Sequence, residues 1–233
     1  MKNKLLLGIT LVALPLTLAA CGSNGKSNAN DSSSAKTTMN VKKTVMSKTG
    51  EIVGSYNSKD KKVLGATLPG KKVIFTVPKT KGDTTHLHFA FMHAASGSKG
   101  WYFAPNSETG IDLNNNSMKS GSTKDITNEI GLFEAPDKNT VKKVTKDSGK
   151  LKYENIDKYM SASVKEKNGK YIITIENNSK DDYKTPFSSG VWKVTSESKK
   201  SFDQKPSAAL STLATMGHRE DLLSVAKSRV MSV

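Results

Sequence analysis

The chain has 233 residues, 36 of them Lys or Arg against 21 Asp or Glu, for a formal net charge of +15, and it contains a single cysteine. A lone cysteine excludes an internal disulfide framework and a multi-thiolate metal site. The basic surplus is scattered without a long Lys/Arg block, so nucleic acid is not an expected partner and anionic surfaces fit better: phospholipid headgroups, wall polymers, acidic glycans.

The first segment has the order of a lipoprotein signal. Lys2 and Lys4 precede an apolar run from Leu5 to Leu18, too short to span a bilayer as a helix, and the run ends in Leu18-Ala19-Ala20-Cys21. The small Ala19 and Ala20 suit a signal peptidase, and the cysteine stands where a lipobox takes its diacylglycerol. Residues 1–20 read as a signal peptide, and Cys21 as the lipidation site that holds the chain to the extracytoplasmic face of a bacterial cell membrane. Residues 21–40 are Ser, Asn, Gly, Lys and Thr with few apolar side chains, a composition that reads as a flexible tether. Residues 41–233 are long enough for one β-rich domain.

Short β-type runs follow at Gly50 to Tyr56, Lys62 to Leu68 and Lys72 to Val77, separated by Asn, Asp, Gly or Pro. His86 to His93 alternates with a period of two. Leu87, Phe89 and Phe91 share one face, and His86, His88, Ala90 and Met92 the other, with both faces at least half buried. The segment 94–116 reads as a structured loop around Trp101-Tyr102-Phe103, with a short strand at Gly110 to Leu113. Gly121 to Phe133 has ambiguous spacing and reads as strand at its end. Residues 134–158 are polar and Lys-rich, a surface connection. Ala162 to Lys167 and Lys170 to Glu176 form a hairpin across Asn168-Gly169, a dipeptide suited to the positive φ angles of a type I′ turn. Another strand is expected at Gly190 to Thr195. At the end, Pro206-Ser207 opens a helix that Gly217 stops, and a second helix runs from near His218 to Arg229 on a stripe of Leu222, Leu223, Ala226 and Val230. The whole reads as a mainly β protein, an antiparallel sandwich with two short C-terminal helices.

Few residues carry recognisable chemistry. His86 and His88 share a strand face and could ligate zinc or copper with a carboxylate from elsewhere. Trp101 and Tyr102 could form a ligand or carbohydrate platform if their rings lie at the surface, or belong to the core if they do not. The chain has no Gly-x-Ser-x-Gly, His-Glu-x-x-His or Gly-x-x-x-x-Gly-Lys-Ser/Thr pattern, so it does not read as an enzyme.

Two stretches together resemble the spondin N-terminal domain in its bacterial form. Leu68-Pro69-Gly70, Phe75, Gly82-Asp83, His88-Phe89-Ala90-Phe91-Met92, Trp101-Tyr102-Phe103-Ala104-Pro105 and Gly110-Ile111-Asp112-Leu113 are similar to its later half. Ser189-Gly190-Val191-Trp192, Phe202, Ala208-Ala209-Leu210, Leu213-Ala214, Gly217 and Leu222-Leu223 are similar to its earlier half. Their order here is permuted, with 41–150 resembling the later half and 151–233 the earlier. The resemblance implies a C2-like β-sandwich and, from animal members, a calcium site in acidic loops. In those loops Lys99 stands where the pattern has Asp, and Phe133-Glu134-Ala135-Pro136-Asp137 replaces the usual Asp-Ala-Gly-Thr-Glu. Glu134 and Asp137 remain as oxygen donors, too few for a hard cation alone, so no cofactor is expected. The reading is a non-enzymatic, lipid-anchored cell-surface binding or adhesion protein, its partners the membrane through Cys21 and anionic polymers, glycans or surface proteins. The alternative is a lipoprotein that handles a metal or solute.

Overall fold

A computed structural model describes residues 46–57, 65–82, 84–114 and 118–228. The expected signal peptide and tether, Cys21, the first three residues of the run Lys62 to Leu68, Asp83, Arg229 and Val230 lie outside the described residues. Those that are described fall in one compact unit, Lys43–Val233.

Among the described residues, eleven strands form two antiparallel sheets. The larger contains β1 (Ser47–Ile52), β3 (His86–His93), β4 (Trp101–Pro105), β5 (Ile111–Asp112), β7 (Ile130–Glu134), β8 (Lys142–Lys143) and β11 (Phe187–Thr195), in the order β1-β11-β3-β4-β7-β8, with β5 on β3. The smaller contains β2 (Lys72–Pro78), β6 (Thr123–Asp125), β9 (Met160–Lys167) and β10 (Lys170–Asn177), in the order β2-β10-β9-β6. Two helices follow, α1 (Ala208–Met216) and α2 (Glu220–Lys227). The chain is a mainly β, two-sheet antiparallel sandwich carrying two short C-terminal helices.

The alternation in β3 decides the layering. Leu87, Phe89 and Phe91 enter the core between the sheets and meet Val73, Phe75 and Val77 of β2 and Tyr171, Ile173 and Ile175 of β10. The other face of the larger sheet is also covered: Ala90, Tyr102, Ala104 and Val191 pack with Leu210, Leu213 and Leu222 of the helices. Every residue of β3 is therefore buried. Each large apolar side chain removed from water in these layers contributes about 1.5–3 kcal/mol before the cost of ordering it. The smaller sheet has one covered face, so β9 and β10 alternate buried with exposed or half-exposed residues.

Local signals explain the element ends. Asn168 and Gly169 have φ of 54° and 71°, as the tight hairpin turn requires. Ser207 caps α1 by accepting a hydrogen bond from the Leu210 N–H, and Gly217, at φ 75°, ends it. Trp101-Tyr102-Phe103 forms a central strand where a loop was expected, because β4 pairs with both β3 and β7. The connection 134–158 is less purely surface than its composition implies, since Val144 is buried and Leu151, Tyr153 and Ile156 pack on the core.

Pairing also fixes the two ends of the sandwich. Ser47 and His86 both lie opposite Thr195 in register, and Lys170 lies opposite both Pro78 and Lys167. The start of β1, the link from β2 to β3 and the 168–169 turn are thus at one end. Phe187 opposite His93, and Trp101 opposite Glu134, mark the other.

Candidate functional site

On the helix-covered face of β3, His88 is fully buried, and its Nδ1 lies 3.1 Å from both carboxylate oxygens of Asp203, itself fully buried. Asp203 belongs to the turn between β11 and α1. Tyr102 donates its hydroxyl to the Asp203 carbonyl at 2.8 Å, and Gln204 donates its side-chain amide to the Pro105 carbonyl at 2.6 Å. A Cβ on Gly110 would come within 2.9 Å of His88 Nε2, so the ring is closed in on that side too. These bonds clamp the β11–α1 connection against the sheet. Lys193, opposite His88 in register, has its pKa lowered first by burial and then by the neighbouring Lys199 charge. His86 is less enclosed: its Nε2 stands 3.4 Å from Thr84 Oγ1, and burial lowers its pKa while Asp112 opposes the shift.

The rings of Trp101 and Tyr102 do not form a surface platform. Both are fully buried, because β4 is an interior strand covered on both faces. Trp101 enters the inter-sheet core and meets His93 edge-on, with ring centroids 5.7 Å apart. His93 also lies 5.8 Å from Phe103 and 5.6 Å from Tyr159, and this burial lowers its pKa to about 4. Tyr102 packs beneath the helices with Phe133, and burial raises its hydroxyl pKa well above the ordinary value.

The expected metal donors are not gathered into one place. His86 stands at the Ser47 end of the sandwich, whereas Glu134 lies at the opposite end, facing Trp101 and Lys142. Asp137 closes its own turn, accepting from the Asn139 N–H at 2.8 Å and the Thr140 hydroxyl at 3.0 Å, and these bonds lower its pKa. Among the described residues no group of three or more His, Cys, Asp or Glu side chains could hold a metal ion.

What the fold does build is an apolar groove of about 310 Å³ at the end away from Ser47. It is assembled from the end of β3 (Met92, Ala94), the start of β11 (Ser188, Ser189), the Ala66 to Leu68 segment and the C-terminus of α1. Tyr56 and Met216 stand on its margin, 38 % and 64 % exposed. A Cβ on Gly217 would lie 3.1 Å from Ser188 Cβ and 3.6 Å from Met92 Sδ, so the helix-ending glycine also keeps this corner open. Beside it, Arg219 donates from Nη1 to Ser189 Oγ at 3.0 Å and lies 3.2 Å from the Glu51 carboxylate. The arrangement is mostly apolar with adaptable thioethers and a cation nearby, at the lower end of ligand-pocket sizes. Five segments distant in sequence supply it, so no local pattern pointed to Met216 or Arg219 as site residues, and Gly217 was legible only as the end of a helix. Asp203, an isolated acid in a short turn, gave equally little signal.

Compared with family models, with characterised proteins and with solved structures, the chain finds no match in any of the three.

Proposed function

We propose that this chain is a non-enzymatic, lipid-anchored cell-surface protein that binds a partner through its sandwich domain. The observation that carries the binding half is the groove between Met92, Ser189 and Met216, whose mostly apolar lining suits a protruding side chain or short apolar group of a surface partner. The anchoring half rests on the order of Lys2, Lys4, the apolar run and Leu18-Ala19-Ala20-Cys21. The spondin-like motifs, in permuted order, agree with an adhesion role. Metal handling draws less support, since His88 is committed to Asp203 and Asp137 to its own turn. The test compares capture from wall and envelope fractions by the mature protein and by variants with Met216→Glu or Tyr56→Ser. Both replaced side chains are exposed at the margin, so folding should be little changed. A partner held by the wild type and lost by both variants supports the reading; capture that ignores them, or none at all, contradicts it.

A further inference from the structure

The lysine surplus is not neutralised where the tether joins the domain. At the Ser47 end, Lys167 and Lys170 face each other across the 168–169 turn, and Lys165 follows on the same exposed side of β9. Like charges directly opposite in a sheet repel and destabilise the pair. None of the three has a carboxylate within ion-pair reach among the described residues. The nearest buried acid, Glu166, is engaged by Lys79 at 3.5 Å and by the Gly169 N–H at 3.0 Å. Lys81 and Lys119 are exposed near this end, and Lys48 is exposed one residue into β1. The apolar groove opens at the opposite end.

We infer that this lysine-bearing end engages anionic phospholipid headgroups, so that the domain stands with the hairpin toward the bilayer and the groove facing away. The inference rests on the lipid anchor at Cys21 proposed above. A chain held at Cys21 and entering its domain at Ser47 is connected over 26 residue steps to the very end that carries the unpaired ammoniums. A connection of that length spans at most about 90 Å even when fully extended, which keeps the domain near the bilayer. The lysines supply the orientation, since a basic group near an anionic surface gains on the order of a fivefold preference and acts only within about a Debye length. The lipid gives attachment, and the charges give direction.

The experiment uses the mature lipoprotein in vesicles of phosphatidylcholine alone or of phosphatidylcholine mixed equally with phosphatidylglycerol. Acylation of Cys21 leaves no other thiol in the chain, so Thr123→Cys, opposite Lys165 in β6, and Ser98→Cys, at the groove end, can each carry one fluorophore. A quencher on the lipid headgroups reads proximity. The expected result is stronger quenching at position 123 than at 98 in the anionic vesicles, falling to equality in phosphatidylcholine or in about 1 M salt, where the Debye length is about 3 Å. Lys165→Gln, Lys167→Gln and Lys170→Gln together should abolish the difference, lowering the ratio of hairpin-down to hairpin-up orientations on the order of a hundredfold. The equal charge change in Lys138→Gln, Lys142→Gln and Lys143→Gln should leave it intact. Equal quenching at both positions in anionic vesicles, or identical behaviour of the two triple variants, overturns the proposal. Protein that fails to stay on vesicles of either composition, or that takes label on Cys21, instead overturns the anchor on which it rests.

Discussion

Acid should destabilise the domain partly through His93, and replacing this one ring should remove that share. His93 closes the inter-sheet core at the end of β3, 4 % exposed and ringed by Trp101, Phe103 and Tyr159. Burial lowers its pKa from 6.5 to about 4, so the folded state holds the ring neutral over a range in which the unfolded chain protonates it. A depressed histidine pKa means the unfolded state binds more protons as pH falls from 6.5 toward 4. Stability is therefore lost across that window and levels off below it. The difference corresponds to about 3 kcal/mol, at 1.36 kcal/mol per pKa unit. His93→Phe keeps the ring shape and adds no ionisable group. It should unfold in urea within about 1.5 kcal/mol of the wild type near neutral pH. Near pH 4 the difference should have moved in favour of the variant by about 2–3 kcal/mol. The carboxylates and His86 titrate in both proteins, so the comparison isolates His93. Parallel stability curves for the two proteins from pH 7 to 4 would refute the assignment of a neutral, enclosed ring.

Asp203→Ala should cost about 3 kcal/mol in urea unfolding, because it leaves His88 buried without its carboxylate and removes one of the contacts that hold the β11–α1 turn to the sheet. Asn177→Ala should cost about 2–3 kcal/mol by the same measurement: its side-chain amide donates to the Thr67 and Thr185 carbonyls, and its oxygen accepts from Ser179. Ser207→Ala removes the cap of α1 and should lower stability by about 1 kcal/mol, whereas Ser207→Asp should retain most of it. Calcium or zinc at micromolar free concentration should leave the melting temperature unchanged, and a shift of several degrees with either would show a native-state metal site that the separated donors do not explain.

The sequence made the sandwich legible where a period of two was strong. His86 to His93 and the hairpin around Asn168-Gly169 occur as expected, and both faces of β3 are buried because a helix layer covers the one bearing His88 and Ala90. The Ser207 and Gly217 signals bounded α1 correctly. β4 was hidden because a flanking Gly, Ser and Asn composition masked five residues that are buried on both sides and so show no alternation. The groove was illegible for a different reason. Its lining comes from strand ends and a helix terminus that no local pattern links, and its exposed Met216 looks in the sequence like one more apolar helix residue. The His88–Asp203 contact joins residues 115 positions apart, a pairing that neither residue's neighbourhood signals.

The claim on which the account turns is attachment through Cys21, and mass spectrometry of the N-terminal peptide from membrane-extracted protein addresses it directly. The expected result is a peptide that begins at Cys21 and carries a thioether-linked diacylglycerol, and a Cys21→Ser protein that lacks this lipid and is no longer processed before residue 21. A membrane-extracted protein whose N-terminus lies elsewhere, or whose Cys21 bears a free thiol, would contradict it.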